Sequence, residues 1–438
     1  MTRFRRSSAI TLPALAAATF FMASGGPYGL EDILQKSGYS ATLLILILTP
    51  IAWSLPVALL VGELGAAIPE EGGYFAWVNR GLGPFWGFQE AWLSLAASIF
   101  DMAIYPTLFV LYLARLWPAA TAGHTGILLG ALMIAGCAVW NIAGARAVGD
   151  GSILLAVVLL GPFAALAALA VFRHPAASQN TTASRPVDLL GGSMVAMWNY
   201  MGWDNASTVA GEVARPQRNY PRGILGALAL TVACYVLPVA GLARYGMNVG
   251  EWSTGSWVDA GKLLGGEALA VAVVLGGMVC GLGMFNALVL SYSRVPLAMA
   301  EAGYLPRALA RCTRRSDAPW VSIMVCSAAW TACLALNFER LVLLDVLLYG
   351  TALILEFVAL AVLRWREPGL ARPFRVPGGK PVAVLMGAGP LAMLALAFDR
   401  GRREAAAGLN PIVIAAGLAA AGVVIYFASA ANRERSQM

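Results

Sequence analysis

The stretch Ser24-Gly25-Gly26-Pro27-Tyr28-Gly29 interrupts an apolar run over residues 9–30, and Glu31 and Asp32 follow it directly. Pro27 has no amide hydrogen and the glycines lack the side chains that stiffen a helix, so the stretch predicts a break. Within a membrane, unwound backbone is tolerated only where protein buries it or where it lines a water-filled cavity. We therefore expect the backbone groups of this stretch to form half of a binding site.

The composition is that of a protein that crosses a membrane many times. Of its 438 residues, 59% are hydrophobic and 12% are charged, whereas an average soluble domain has about 25% charged residues. Apolar runs close to the ~20 residues that a helix needs to cross a bilayer predict an all-α integral membrane protein with twelve spans. Their approximate limits are residues 9–34, 41–65, 84–115, 125–145, 150–172, 188–211, 221–244, 266–299, 319–338, 341–364, 380–398 and 410–430.

The positions of Lys and Arg support twelve spans with both termini in the cytoplasm. In that topology, 20 of the 30 Lys and Arg residues lie in inside segments and 10 outside, as the positive-inside rule requires. The net charge of +7 is scattered over short loops, so we expect a lipid bilayer, that of the cell membrane, and no nucleic acid as a partner. A cleavable signal peptide is the alternative interpretation of the N-terminus, although glycine and proline continue past its cleavage point.

A second polar interruption lies in the sixth predicted span, at Asn199-Tyr200-Met201-Gly202-Trp203-Asp204-Asn205-Ala206-Ser207-Thr208. The two interruptions lie five spans apart, in the first and sixth spans. If five spans form a repeat, their odd number means that the second repeat enters the membrane from the opposite side. Inverted repeats with a substrate between two broken helices are typical of secondary transporters. We expect a first repeat at residues 1–187, a second at 188–366, and two appended spans at 367–438.

Three acidic residues, Asp101, Asp204 and Glu356, are predicted to lie deepest in the spans. An ionised side chain at the bilayer centre costs roughly 2.5–3.5 kcal/mol, and no basic residue is predicted deep enough to pair with them. A proton or a cationic substrate must therefore neutralise them. We expect all three to bind an amine substrate or a coupling proton, and the alternative for each is a structural role, with Asp204 as a helix cap.

The remaining acids are expected nearer the membrane surfaces. Helical spacing puts Glu90 on one stripe with Ser94, Ala97, Asp101 and Tyr105, about 16 Å from Asp101 towards the cytoplasm. Gate or loop contacts are expected for three glutamates and a solvated position for one aspartate. These are Glu63, Glu90, Glu212 and Asp345. Glu31 and Asp32, which follow the first break, are expected either to attract cations at an outer vestibule or to form an exposed helix cap.

Aromatic side chains near the two breaks offer faces for an ammonium group. We expect five of them to contribute, and those that border the second break are favoured over residues in interfacial belts. They are Tyr28, Tyr105, Trp198, Tyr200 and Trp203. Gly202 is expected to add backbone groups from the second break, together with Ser24, Gly25, Gly26 and Gly29 from the first. Pro27 removes one amide donor, which favours a substrate without a carboxylate.

Catalytic and metal chemistry find little support in the sequence. The two histidines, His124 and His174, lie in predicted loops without nearby Cys or acidic clusters, and the six cysteines show no paired spacing. These features predict no enzyme, no metal site and no disulfide. A receptor would need a larger output domain, and paired broken helices argue against a channel.

The chain resembles the amino acid–polyamine–organocation superfamily over spans 1 to 10. The likeness rests on the broken first span and on Pro69-Glu70-Glu71-Gly72-Gly73-Tyr74, Gly83-Pro84, Gly211-Glu212-Val213 with Pro216 and Pro221, Ser293-Arg294, and Ala298-Met299-Ala300-Glu301-Ala302-Gly303-Tyr304-Leu305-Pro306. Within the superfamily it is most similar to the polyamine uptake branch. That likeness rests on residues 24–32, Gly83-Pro84-Phe85-Trp86-Gly87-Phe88-Gln89, Asp101-Met102-Ala103-Ile104-Tyr105-Pro106 and Leu355-Glu356-Phe357.

The resemblance implies a LeuT-like fold and a substrate–proton symporter or exchanger that works by alternating access. By similarity, Trp198 matches the aromatic gate of arginine–agmatine exchangers, and Asp204 matches an acid linked to proton sensing; we assign Trp203 to the gate as well. Some amino acid members carry a lysine in span 5, and this chain has none there. We expect proton-coupled uptake of a polyamine with no cofactor, and the alternative is an amino acid permease.

Overall fold

A computed structural model of the chain describes residues 9–173, 189–334, 338–404 and 410–437. The arginines before residue 9, His174 and the predicted boundary between the two repeats lie outside these ranges. The described part is built from sixteen α-helices. They are α1 (Leu12–Ala23), α2 (Glu31–Thr49), α3 (Leu55–Ala67), α4 (Tyr74–Leu82), α5 (Pro84–Leu113), α6 (Thr125–Ile142), α7 (Ala145–Phe172), α8 (Leu189–Asn199), α9 (Pro216–Tyr245), α10 (Trp257–Tyr292), α11 (Arg294–Glu301), α12 (Trp320–Ala332), α13 (Phe338–Arg366), α14 (Gly379–Leu385), α15 (Ala388–Glu404) and α16 (Pro411–Gln437).

The number of membrane spans agrees with the sequence. Nine helical segments in the described ranges are long and apolar enough to cross a membrane. Three shorter helices, α1, α8 and α12, complete the twelve spans. The predicted all-α class is confirmed, and α1 and α8 are each one half of an interrupted span.

Both predicted breaks are present. Helix α1 ends at Ala23, residues 24–30 are not helical, and α2 begins at Glu31. In the sixth span α8 ends at Asn199, and a 3₁₀ helix, Trp203–Glu212, follows. Gly202 joins the two halves with a φ of 92°, in the left-handed region that favours glycine.

The two breaks pack directly against each other. A Cβ atom on Gly202 would collide with the carbonyl oxygen of Met22 at the end of α1. The Tyr235 hydroxyl accepts a hydrogen bond from Ser24 Oγ (2.8 Å) and donates one to the Asn199 carbonyl (2.7 Å), so α9 ties one break to the other. The site between them is therefore enclosed on this side by backbone and by one tyrosine.

The connection between the second and third spans contains a helix of its own. This is α4, which packs against α5 and α13 and buries Trp77 and Val78. The eighth predicted span, residues 266–299, lies within one apolar helical segment, Trp257–Glu301. Helix α10 ends at Tyr292 and α11 begins at Arg294. Only Ser293 separates the two helices, and Pro296 has no amide hydrogen to donate to the Tyr292 carbonyl, so one helical hydrogen bond is missing at this junction.

The start of the first span and the end of the sixth are joined by backbone hydrogen bonds. The Ile10 amide donates to the Glu212 carbonyl (2.8 Å), and the Ala214 amide donates to the Ile10 carbonyl (3.0 Å). This isolated parallel bridge lies on the side of the molecule where the chain begins, which we call the inner side and which the charge pattern predicts to be cytoplasmic. It holds the inner ends of both interrupted spans together.

We predict that Gly202→Ala destabilises the fold. Alanine would place a side chain against Met22 in a left-handed conformation, at a cost of about 1–3 kcal/mol. Gly226→Ala is the control, because nothing lies within 4 Å of a Cβ atom at that helical position. The measurement is the midpoint of thermal unfolding in detergent, and equal midpoints for the two variants would contradict the packing described.

Candidate functional site

Asp101 lies in the middle of α5 and is only 4% exposed. The Tyr105 hydroxyl, one turn further along the helix, donates a hydrogen bond of 2.5 Å to its carboxylate. The Trp198 side chain at the end of α8 also hydrogen-bonds to Asp101. The Tyr105 and Trp198 rings are stacked, with centroids 6.3 Å apart. Three of the predicted site residues therefore meet at one carboxylate.

Asp204 lies at the second break, near the start of the 3₁₀ helix, and is buried. The hydroxyl of Tyr349 on α13 donates a hydrogen bond to its carboxylate. The same hydroxyl accepts a hydrogen bond of 3.0 Å from the Gly202 amide. Tyr349 thus fixes both the acid and the glycine of the break. Tyr349 is not among the residues predicted from the sequence, although it lies four residues after Asp345 and seven before Glu356 on α13.

Asp345 was expected to be solvated, and this is wrong. It is fully buried, and neither carboxylate oxygen has a hydrogen-bond partner among the described residues. The reason is that α13 is tightly packed against α5, so its outer end is covered by protein. Asp345 interacts electrostatically with Asp101 and Asp204.

Glu90 and Glu356 lie deeper towards the inner side and are both fully buried. Glu356 has no hydrogen-bond partner on either carboxylate oxygen within the described ranges. Glu90 accepts one hydrogen bond from Ser94 Oγ (2.9 Å). Glu356 interacts electrostatically with Glu90 and with Asp204. Glu90 makes no hydrogen bond to a loop within the described ranges, because α13 and α4 cover that part of α5, and a gate contact for it stays a prediction.

These residues form one arrangement, which we call the five-carboxyl cluster: Glu90, Asp101, Asp204, Asp345 and Glu356. Eleven residues, close to three helical turns, separate the two acids on α5, and the same number separates the two on α13. The two helices run in opposite directions in the twelve-span topology. Asp101 and Asp345 therefore form an outer pair, and Glu90 and Glu356 form an inner pair. Asp204 interacts with members of both pairs.

The chain pairs other buried acids with arginine. Glu63 on α3 forms an ion pair with Arg364 and a second, of 3.2 Å, with Arg372. Glu212 pairs with Arg294 at 2.5 Å. Among the ion pairs of the described residues, none involves the five-carboxyl cluster. The gate or loop contacts expected for Glu63 and Glu212 therefore take the form of buried ion pairs.

A third arginine pair lies at the inner surface. The Arg80 guanidinium on α4 donates two hydrogen bonds, of 2.9 and 2.6 Å, to the Glu367 carboxylate after α13. These bonds lower the pKa of Glu367 and raise that of Arg80. Because Arg80 is exposed and Glu367 is only half-buried, this pair serves mainly to hold α4 against the end of α13.

Glu31 neither lines an exposed vestibule nor forms an exposed cap, and both expectations for it are wrong. It is buried and accepts hydrogen bonds from the Gly29 amide (2.7 Å), the Tyr112 hydroxyl (2.6 Å) and the Gly255 amide (3.0 Å). These donors come from the break, α5 and the segment before α10, so Glu31 anchors the break to its surroundings. Its neighbour Asp32 is half-buried.

The other residues of the first break are closely packed. A Cβ atom on Gly25 would collide with the sulfur atoms of Cys280 and Met284, and one on Gly26 would lie 2.6 Å from Leu159. The Tyr28 hydroxyl donates a hydrogen bond of 2.6 Å to the Val273 carbonyl, which fixes that ring between α7 and α10. Whether these residues bind a substrate stays a prediction.

The aromatic residues of the second break are mostly engaged with protein. The Tyr200 hydroxyl donates to the Leu46 carbonyl (2.9 Å), and Trp203 Nε1 donates to the Tyr200 carbonyl (2.8 Å). Both side chains are fully buried, whereas Trp198 retains 8% exposure beside Asp101. The gate roles of Trp198 and Trp203 stay predictions.

Comparisons with known proteins agree with this architecture. A model of a family described as amino acid permease matches residues 17–429. Polyamine transporter RMV1 of Arabidopsis thaliana is 32% identical over 86% of this chain and 77% of its own length, and polyamine transporter PUT1 of Oryza sativa is 33% identical over 95% and 77%. Serine/threonine exchanger SteT of Bacillus subtilis is 26% identical over 79% and 80%.

The fold also has a relative among solved structures. MhsT in complex with L-phenylalanine superposes with a TM-score of 0.65 at 14% identity, covering 88% of this chain and 97% of that one. The LeuT-like fold that the family resemblance implies is confirmed. Fold and matches together define a multi-pass membrane transporter. The chain belongs to the amino acid permease family.

We predict that the buried Glu63–Arg364 pair contributes more stability than the exposed Arg80–Glu367 pair. Arg364→Met leaves a carboxylate buried with fewer cationic partners, at a cost of about 3–5 kcal/mol. Arg80→Met is the matched control, because an exposed pair contributes about 1 kcal/mol or less. The free energy of unfolding, measured with denaturant in detergent, distinguishes them. A larger loss for Arg80→Met would show that burial is not the deciding factor.

Proposed function

We propose that the chain is a secondary active transporter that takes up polyamines such as putrescine and spermidine, driven by an inward proton gradient and without a cofactor. One observation carries the proposal: the five-carboxyl cluster has no cationic side chain paired with it in the described residues. Buried acids need a partner or a proton. Elsewhere in the same chain arginines supply that partner, so the cluster is suited to a cation that comes and goes.

The outer pair is the proposed ammonium site. Asp101 is held in place by Tyr105 and Trp198, whose stacked rings offer apolar faces beside the carboxylate. An ammonium group gains both a charge-assisted hydrogen bond and a cation–π contact in such a place. Asp345 adds a second carboxylate within electrostatic range, which suits a substrate with several positive charges.

The first break favours an amine over an amino acid. In amino acid carriers, the amides of a broken helix bind the substrate carboxylate. Here the Gly29 amide donates to Glu31, the Gly26 amide donates to Ser24 Oγ (3.1 Å), and Pro27 has no amide hydrogen. The Gly29 and Gly26 amide hydrogens are therefore not available to a substrate carboxylate. Two relatives named polyamine transporters support the same choice, whereas the match to a serine/threonine exchanger keeps an amino acid permease as the second candidate.

Asp204 is the proposed carrier of the coupling proton, with Glu356 as a further proton site. Asp204 lies at the hinge of the second break and is tied through Tyr349 to α13, so its charge acts directly on the segment that must move. In this proposal the repeats at residues 1–187 and 188–366 move relative to each other and open the five-carboxyl cluster to one side of the membrane at a time. Trp198 and Trp203 form the gate. We place the protein in the cell membrane with both termini inside and assign it no enzymatic activity.

The proposal is tested by uptake of labelled putrescine into proteoliposomes under an inward proton gradient. We expect concentrative uptake that spermidine inhibits and neutral amino acids do not. Collapse of the gradient with a protonophore should abolish accumulation but leave exchange of internal for external putrescine. If neutral amino acids are taken up and putrescine is not, the chain is an amino acid permease instead.

We predict that Asp101→Asn weakens putrescine binding by about 10- to 100-fold, because it removes a hydrogen bond to a charged group. Asp32→Asn is the control, since that acid is half-buried beyond the first break and outside the cluster. The dissociation constant is measured by calorimetry on purified protein. Unchanged affinity in the Asp101 variant, or an equal loss in the Asp32 variant, would contradict the assigned ammonium site.

We predict that Asp204→Asn abolishes proton-driven accumulation and leaves putrescine exchange in place. The amide keeps the size of the side chain and can still accept the hydrogen bond from Tyr349, but it cannot carry a proton. Both activities are measured in the same liposomes, and size-exclusion chromatography confirms that the variant is folded. Normal accumulation in this variant would remove Asp204 from the coupling mechanism.

A further inference from the structure

A second polar site lies on the inner side of Asp204, between α4, α5 and α13. Four oxygen atoms of three fully buried side chains have no hydrogen-bond partner among the residues that the structure describes. They are the Tyr74 hydroxyl, Oε2 of Glu90, and both carboxylate oxygens of Glu356. Tyr74 interacts electrostatically with both glutamates and with Asp204, so the four atoms belong to one region of the protein.

Several neighbouring buried oxygen atoms without hydrogen-bond partners indicate a binding site for a ligand. Each buried polar atom without a hydrogen bond is costly, and native proteins satisfy such atoms with water, an ion or a shared proton. Two buried carboxylates that interact electrostatically cannot both carry a charge without a cation. The nearest arginine on α13, Arg364, is already paired with Glu63. A proton shared between the two glutamates satisfies these conditions.

The charged and titratable groups around this site are few. Asp204 faces it from the 3₁₀ helix, Tyr349 from α13 and Tyr292 from α10. Arg364 lies about two turns beyond Glu356 along α13, where it and Arg372 both pair with Glu63, so that group of three carries one net positive charge. The inner pair therefore has one acidic partner, Asp204, on the side of the substrate site.

The site is mechanically linked to the second break. The Gly72 amide donates to the Thr208 carbonyl (3.2 Å), and the Tyr74 amide donates to Ser207 Oγ (3.2 Å). A Cβ atom on Gly73 would collide with Ser207. The start of α4 is thus docked on the same 3₁₀ helix that carries Asp204, and a movement of that helix displaces Tyr74 from the two glutamates.

We propose that Glu90, Glu356 and Tyr74 form an inner proton-binding site that accepts the coupling proton from Asp204 and releases it to water on the inner side. The inference rests on the proposed function. In the transfer, the O–H bond of the Asp204 carboxylic acid breaks and a new O–H bond forms on a glutamate oxygen, through water where needed. Asp204 becomes a carboxylate and the inner pair gains the proton, so the charge of the cluster is unchanged.

The test separates proton transfer from substrate movement. Glu90→Gln and Glu356→Gln are reconstituted beside wild type, and Glu70→Gln is the control, because Glu70 is an exposed glutamate of the same inner loop. Putrescine exchange between the two sides needs no net proton movement, whereas accumulation under a proton gradient does. We expect each cluster variant to retain exchange and to lose at least about tenfold in proton-driven initial rate, as expected when a proton-transfer group is removed.

Each result has one meaning. If wild type exchanges no putrescine, the proposed function fails before the inner site is tested. If both cluster variants accumulate putrescine like wild type and Glu70→Gln, the inner proton site is overturned and the proposed function stands. If folded variants lose exchange and accumulation together, the glutamates bind substrate rather than relay a proton, which also overturns the inference. Tyr74→Phe, expected to slow accumulation alone, replaces any glutamine variant that does not fold.

Discussion

The carboxyl groups buried between the two interrupted helices impose the main electrostatic constraint on this protein. A charged group in a region of low dielectric constant is stable only with a counter-charge or with extensive hydrogen bonding. Asp101 and Asp204 have partial hydrogen bonding from tyrosines, and Asp345 and Glu356 have none within the described residues. The charge of the site must therefore change with what is bound in it, which is the property that a coupled transporter needs.

The surrounding structure keeps that site intact without neutralising it. Glu31 uses its carboxylate to hold the first break, and Tyr235 connects the first break to the second. The buried arginines Arg364 and Arg294 lie towards the inner side, where they pair with Glu63 and Glu212. The two breaks are therefore held in place by hydrogen bonds and ion pairs outside the five-carboxyl cluster, and the protonation of the cluster can change. A glycine, and not a larger residue, lies where the two breaks meet because a Cβ atom on Gly202 would collide with the Met22 carbonyl oxygen.

Much of this arrangement is predictable from the sequence for simple physical reasons. Glycine and proline in an apolar run predict the breaks, and the 3.6-residue period places Glu90 and Asp101 on one face of α5. The depth of Asp345 is not predictable in this way, because it depends on how α13 packs against α5. The same is true of Tyr349 and Glu31, whose partners are distant in the sequence.

The most direct test of the account is the number of protons exchanged when putrescine binds to the purified protein. Calorimetric titrations in buffers of different ionisation enthalpy give this number without any transport assay. In a proton symporter the loaded site holds the coupling proton together with the substrate, so putrescine binding at a pH where the empty site is ionised must take up protons, and the measured enthalpy must vary with the buffer. An enthalpy that is the same in every buffer would show that binding leaves the protonation of the cluster unchanged, and would contradict the account.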